Sequence, residues 1–439
     1  MSFPRYERYK DSVVEWLGEV PEHWNVCRVR RLFEICKRIA GEEGYDVLSI
    51  TQKGIRVKDT ESGDGQLSMD YSKYQFVEPG DFAMNHMDLL TGYVDISPFW
   101  GVTSPDYRVF RTKDAEICWD RYYLYLYQNA YKRRIFFPFG QGSSQLGRWR
   151  LPTDEFNSFY LPLPPLSEQH AIAAFLDRET AKIDALITEQ QRLVTLLAEK
   201  RQAVISHAVT KGLDPDAPMK DSGIEWLGEV PAGREVLALK RVCVLIKDGT
   251  HLPPQRVDNG IPLLSVRNVD NGRFFLRDDD SMISEDDYLN LCRSFVPCVD
   301  DVLLAIVGAT LGKTALVPEG MGNFQIQRSL AVFRCSPEMI SKWLYLVFQS
   351  RGFQMLLWQY VGFSAQPGIY LGTLAEFRIP VPPLSEQHAA VTFIEEETIK
   401  LDALTAEAQR AITSLQERRS ALISAAVTGK IDVRGLAAA

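Results

Sequence analysis

The sequence predicts an α+β chain: two mixed, mainly β domains separated by a long antiparallel two-helix coiled coil, with a pseudo-two-fold internal repeat. Three observations predict it. Two blocks recur nearly intact, two long stretches free of glycine and proline follow paired prolines, and short β-rich runs fill the intervals between.

The first element is the repeat. DSVVEWLGEVP (Asp11–Pro21) returns as DSGIEWLGEVP (Asp221–Pro231), and PLPPLSEQHAIAAFLDRETAKIDAL (Pro162–Leu186) returns as PVPPLSEQHAAVTFIEEETIKLDAL (Pro380–Leu404). The match continues from Glu199–Thr210 to Glu417–Thr428. Its period of roughly 210–220 residues far exceeds that of a solenoid, so a domain-plus-helix unit is duplicated.

Between the repeated ends, residues 22–160 and 232–378 resemble each other only faintly. Val47–Val57 can be set against Leu263–Phe274, Asp81–Ile96 against Asp301–Leu316, and Tyr107–Arg111 against Leu330–Arg334. Short β-branched and aromatic runs bounded by Gly, Pro, Asn and Asp read as strands. Arg121–Tyr131 and Lys342–Trp358 read as aromatic helices. The expected segments are therefore a first domain over 1–160, a first long helix over 161–213, a second domain over 214–379 and a second long helix over 380–439.

The long helices begin after Pro164-Pro165 and Pro382-Pro383, with Ser167 and Ser385 where an N-cap belongs. Gly212 and Gly429 mark their ends. Leu176, Ile183, Leu197 and Val204 keep a seven-residue spacing, with Leu186 and Leu193 interleaved. Ile394, Leu401, Leu415 and Leu422 do the same, with Leu404 beside them. This is heptad packing interrupted by Gln190, Lys200 and Arg418. Two amphipathic helices buried in separate domains is the alternative; equal length, shared phase and paired occurrence favour one coiled coil.

Composition narrows the function. The 439 residues are 46% hydrophobic and 24% charged, enough for two or three domains with their own cores. No apolar run reaches the ~18 residues that would span a bilayer. The opening MSFPRYERYKDSVVEW lacks the apolar core of a secretory signal. Seven scattered cysteines without a CxxC pair read as reduced thiols of a cytoplasmic protein. A net charge of −8 requires any nucleic-acid reader to concentrate its positive charge locally.

Catalytic motifs are missing. In GATLGKT (Gly308–Thr314) three residues separate the glycines where a phosphate loop needs four, and the sequence that follows reads as strand and turn. No glycine-rich cofactor loop follows a strand. No Asn/Asp-Pro-Pro-aromatic tetrapeptide marks a methyltransferase centre. His170 and His388 share one repeated helix position that suits capping or packing, and no metal site is expected. Trp16 and Trp226 recur in both halves and read as core anchors.

Dissimilar β-rich domains, each followed by the same Pro-Pro-Leu-Ser-Glu-Gln helix, resemble the specificity subunits of type I restriction–modification enzymes. The resemblance covers essentially the whole chain. It rests on the PLSEQ blocks Pro165–Gln169 and Pro383–Gln387, KDGTH (Lys247–His251) and VGATLGK (Val307–Lys313). It implies a non-catalytic reader of a bipartite, asymmetric double-stranded DNA site. Two target-recognition domains would each read one half, and the helices would act as spacer and as dock for two modification subunits and the restriction subunits. S-adenosylmethionine, ATP and Mg would be used by those partners, not bound by this chain.

Residues alike in both halves suit the scaffold, so the candidates for DNA contact come from dissimilar loops. In the first domain they are Gln52, Lys53, Arg56, Asn85, His86, Gln141, Ser143, Ser144, Gln145, Arg148 and Arg150, together with the basic run Lys132, Arg133, Arg134. In the second they are Lys247, Thr250, His251, Gln255, Arg256, Arg267, Asn268, Arg273, Gln325, Gln327 and Arg328. Gln and Asn can pair with adenine and Arg with guanine, while Lys and Ser can hold phosphates. The basic run reads equally well as a solvated helix face. Two other functions stay open: a coiled-coil scaffold that does not bind DNA, and a self-contained methyltransferase or endonuclease.

Overall fold

The computed structural model describes residues 3–60, 68, 70–143, 148–252, 254–361 and 367–436. Contacts group the chain into two compact units, Met1–Gln190 with Arg410–Ala439, and Gln191–Gln409. Each unit therefore holds one globular part and a portion of both long helices. The domain limits expected from sequence cut the chain differently, at the feet of the helices.

The first unit is built on an antiparallel sheet in the order Phe33–Cys36, Arg108–Thr112, Phe82–Met84, Val94–Ile96. The strands Asn25–Arg28 and Tyr160–Leu163 pair beside it, so entry to and exit from the globular part lie together. Helix α1 (Asp120–Lys132) covers one face of the sheet. Its Tyr122, Tyr123 and Tyr127 are fully buried, and Phe33, Phe82 and Phe110 meet Tyr127 with ring centroids 5.3–5.9 Å apart. Each such ring contributes about 1.5–3 kcal/mol by leaving water, and edge-to-face geometry adds to that. Trp16 stacks on Phe159 at 5.4 Å, the anchoring role expected of it.

The second unit repeats that sheet with Cys243–Asp248, Leu330–Cys335, Val302–Ala305 and Thr314–Leu316 in the same order. Glu235–Ala238 pairs with Arg378–Val381 as the entry and exit strands. Helix α2 (Ser341–Gln349) buries Trp343, Leu344, Val347 and Phe348. The correspondences of Asp81–Ile96 with Asp301–Leu316 and of Tyr107–Arg111 with Leu330–Arg334 thus fall on equivalent strands, whereas Val47–Val57 is a single hairpin and Leu263–Phe274 is not. This unit also carries Arg256–Val257, Met282–Ile283, Ile261–Leu264 and Gln325–Ile326 as a second sheet with one parallel pairing. GATLGKT is the turn between two antiparallel strands, not the strand-to-helix junction of a phosphate loop.

Helices α3 (Leu166–Thr210) and α4 (Leu384–Val427) are 45 and 44 residues long, about 66 Å at ~1.5 Å per residue. They start one residue before the expected cap. Ser167 and Ser385 lie in the first turn, and the amides of Gln169 and Gln387 turn back to the carbonyls of Pro165 and Pro383. On α3 one covered row runs through 176, 180, 183, 187, 190, 194, 197, 201, 204 and 208, and on α4 one runs through 394, 398, 401, 405, 408, 412, 415, 419, 422 and 426; Ile205, Val209, Ile423 and Val427 are buried beside them. The main seam expected from Leu176, Ile183, Leu197 and Val204, and from Ile394, Leu401, Leu415 and Leu422, is the covered one. The interleaved positions differ: Leu186, Leu193 and Leu404 are 52%, 41% and 49% exposed. Ile187, Val194 and Thr405, one residue further on, take their place. A seam alternating steps of four and three closes at that neighbour, and the apolar character of adjacent residues does not by itself choose between them.

Within each unit the helices exchange one repeated ion pair, Arg419–Asp184 at 2.8 Å in the first and Arg201–Asp402 at 2.6 Å in the second. Beyond α4, Gly429 adopts φ +71° against Pro21, where a Cβ would collide with the proline ring. The Asp432 amide then donates to the Pro4 carbonyl at 2.8 Å. Among the described residues no helix is long and apolar enough to cross a membrane.

Candidate nucleic-acid interface

The PLSEQ blocks fix each long helix to its globular part. Gln169 is fully buried; its Oε1 accepts the Trp119 amide at 2.7 Å, and its Nε2 donates to the carbonyls of Ile117 and Pro164 at 2.8 and 2.9 Å. Gln387 does the same with the Ile340 amide and the Glu338 and Pro382 carbonyls. Glu168 is buried and accepts from Trp24 Nε1, Tyr6 OH and His23, whereas Glu386 is held by the buried Arg234. His170 packs on Trp119 at 4.2 Å. These repeated residues thus hold the scaffold.

In the first unit Gln52 and Lys53 form the turn of the hairpin Leu48–Thr51/Gly54–Val57 and, with Arg56, are exposed. Gln52 Nε2 donates to the Thr91 carbonyl at 3.2 Å. Gln141 and Arg150 are exposed and directly opposite each other on the hairpin Gln141–Ser143/Arg148–Arg150. Ser143 and Arg148 belong to its strands; Ser144 and Gln145 lie outside the described residues.

Asn85 and His86 are half-buried beneath this hairpin. The Asn85 carbonyl accepts Tyr131 OH at 2.8 Å, and the His86 carbonyl accepts the Leu151 amide at 2.9 Å. Buried Arg108 donates to the Leu151 carbonyl at 3.0 Å and lies 4.4 Å over Phe156. Burial pushes the Arg108 pKa down to about 10. Burial first, and Arg108 next, push the His86 imidazole down to about 3. This trio holds the foot of the hairpin, a role nothing in the local sequence signals. The run Lys132–Arg134 ends α1 and is exposed. Arg133 bonds Ser424 on α4, and Lys132 shares a cavity of about 230 Å³ with Gln416 and Arg419.

In the second unit the backbone gathers two of the expected loops. The Thr250 amide donates to the Ile326 carbonyl at 3.0 Å, and the Arg328 amide to the Thr250 carbonyl at 3.2 Å. Lys247, His251 and Arg328 are exposed, with Thr250 and Gln327 partly covered between them. His251 Nε2 lies 2.6 Å from Asp248. Gln255, Arg256 and Arg273 are exposed, and Arg267 is exposed but ion-paired to Asp279 at 3.0 Å.

Two expectations are corrected. Asn268 is buried in a capping box, its Nδ2 donating to Asp280 and to the Phe275 carbonyl. Gln325 is buried with its Nε2 on the Phe295 carbonyl at 2.7 Å. Both amides are already engaged by the fold. Sequence reasoning also passed over Tyr360 and Tyr370, which stand beside His251 and Arg328 around one cavity.

Known proteins share this organisation. The family model for the type I restriction modification DNA specificity domain matches twice, over residues 21–195 and 235–413. The MjaVIII specificity subunit of Methanocaldococcus jannaschii is 28% identical over 64% of this chain, and the EcoBI specificity subunit of Escherichia coli is 28% identical over 62%. The chain spans 64% and 58% of those two relatives' lengths. The putative MjaX specificity subunit of Methanocaldococcus jannaschii is 22% identical over 99% of both chains. A chain from a solved structure concerned with complex assembly and conformational transition of the type I R-M system superposes with a TM-score of 0.63 at 17% identity. That alignment covers 93% of this chain and 98% of that one, a likeness of fold. With two matched domains, the same sheet order in both units and one helix after each, this chain belongs to the type I restriction modification DNA specificity domain family.

Proposed function

We propose that the chain is the sequence-reading subunit of a type I restriction–modification assembly, in which each unit contacts one half of a bipartite, asymmetric DNA site. One observation carries this reading: the specificity domain occurs twice on one sheet framework, while the exposed polar residues on the two copies differ. Shared residues hold the framework and differing residues read, so the half-sites differ in sequence. The exposed set is Gln52, Lys53, Arg56, Gln141 and Arg150 in one unit. In the other it is Lys247, His251, Gln255, Arg256, Arg273 and Arg328, with the partly covered Gln327 among them.

The continuous heptad seam supports α3 and α4 as an antiparallel two-helix coiled coil that spaces the readers. The four segments 1–160, 161–213, 214–379 and 380–439 then alternate reader and spacer as a pseudo-two-fold internal repeat. Joined readers gain avidity, since binding by one raises the effective concentration of the other. In this reading methyl transfer and ATP-dependent cleavage reside in modification and restriction subunits docked on the helices, in the cytoplasm. S-adenosylmethionine, ATP and Mg are bound there. The charge of −8 suits a chain whose partners supply positive surface around the duplex.

Electrophoretic shift of duplex DNA by the chain, alone and with its modification subunits, tests the reading. Specific retention is expected with the partners. Arg256→Ala should weaken it by about 1–3 kcal/mol and relax one base position. Retention of no DNA in either form would favour a scaffold that does not read DNA.

A further inference from the structure

The second unit holds a cavity of about 680 Å³ where two loops converge. One loop runs through Asp248 and His251 and is clamped to Arg328 by the backbone bonds of Thr250. The other, 367–372, is tied down by the Ile369 amide on the Ile306 carbonyl at 3.0 Å and the Gly308 amide on the Pro367 carbonyl at 2.8 Å. Buried Ile306 and Ile369 make an apolar floor. Tyr370 and Tyr360 stand at the wall, 86% and 57% exposed. Asp248, His251 and Arg328 line the polar side.

An exposed tyrosine is unremarkable singly. Two of them around an apolar floor, with an acceptor, an imidazole and a guanidinium on one side, make a slot with chemistry matched to one ligand class. A planar heterocycle stacks on a phenol ring, its hydrogen-bonding edge meets the Asp248–His251 pair, whose members hold each other at 2.6 Å, and its phosphate meets Arg328. A carboxylate acceptor at such an edge suits a base that carries an exocyclic amine. The size is within the range of small-ligand sites. A wedge inserted between stacked bases would need the exposed ring but no cavity behind it.

We propose that this cavity receives a single nucleobase unstacked from the bound duplex, with Tyr370 as its stacking platform. The inference rests on the DNA-reading function proposed above. Tyr370 becomes a binding residue of the second half-site, and that half-site is read partly by how readily one base leaves the helix. Unpairing costs free energy, and the cost is lowest for a base that is already mismatched.

The test uses the full-length chain with its modification subunits and duplexes carrying the split motif from its own methylation map. A mismatch is walked along the second half-site. Wild type should bind one mismatched position on the order of tenfold more tightly than the matched duplex. Tyr370→Ala should lose that gain and bind the matched duplex on the order of tenfold more weakly, with the salt dependence unchanged, because stacking involves no counterion. Tyr370→Phe keeps the ring and should behave as wild type. With the ring exposed, neither variant should disturb folding, and matched melting temperatures check this. A wild type without a favoured mismatch, or a Tyr370→Ala variant that keeps the gain, overturns the inference while leaving DNA reading intact. Failure of wild type to bind any duplex overturns both.

Discussion

Gln169 and Gln387 each satisfy one backbone amide and two backbone carbonyls from a fully buried position, joining a long helix to the segment that opens α1 or α2. Replacing either by alanine strands those groups away from water, and we expect a loss of about 2–4 kcal/mol in chemical denaturation. Equal stability of Gln387→Ala and wild type would contradict this role. The PLSEQ motif was legible as a repeat. The role of its glutamine was not, because its partners at Ile117 and Trp119 lie about fifty residues earlier. Asn268 and Gln325 misled for a related reason: a polar residue in a variable loop looks the same in sequence whether its amide faces water or a buried carbonyl. His86 gives a pH signature. Its imidazole is held neutral down to about pH 3, whereas in the unfolded chain it takes a proton near 6.5. Below 6.5 the unfolded state binds more protons, so the first unit should lose stability as pH falls from about 6.5 toward 3. Between about pH 6.5 and 5 most carboxylates stay charged, and His86→Gln should flatten the slope there. The same slope in that variant would assign it to other groups.

At the scale of elements, α3 and α4 were readable from the absence of glycine and proline and from one heptad row. The second row was misplaced by one residue because Leu186 and Leu193 stand beside the comparably apolar Ile187 and Val194, and Leu404 beside the less apolar Thr405. Hydrophobicity ranks residues, but the packing partner sets the phase. The four-stranded sheets were legible as β-rich runs, and their strand order was not, since pairing is long-range and leaves little local trace. If the two helices form the spacer, inserting seven residues into each keeps the seam in phase and adds about 10 Å. The gap between half-sites should then widen by about three base pairs, with neither half-site altered. Sequencing of the methylated motif reads this directly, and an unchanged gap would remove the spacer role.

For the whole molecule, the duplication in the sequence and the repeated sheet in the structure agree that one framework is used twice. The two copies differ in the second sheet that one unit adds and in exposed stretches such as Gln52–Arg56 and Lys247–His251, and in the function proposed here the specificity of each half belongs to residues the repeat does not share. That is also why the recognised bases could not be read from the sequence: the repeat reveals the framework and is silent about the letters. Paired readers on one framework are tested most directly by a genome-wide map of methylated bases in the native cells, with and without this gene. One split, asymmetric motif should vanish on deletion and return on complementation. Persistence of every motif while the modification subunits remain active would contradict the reading role.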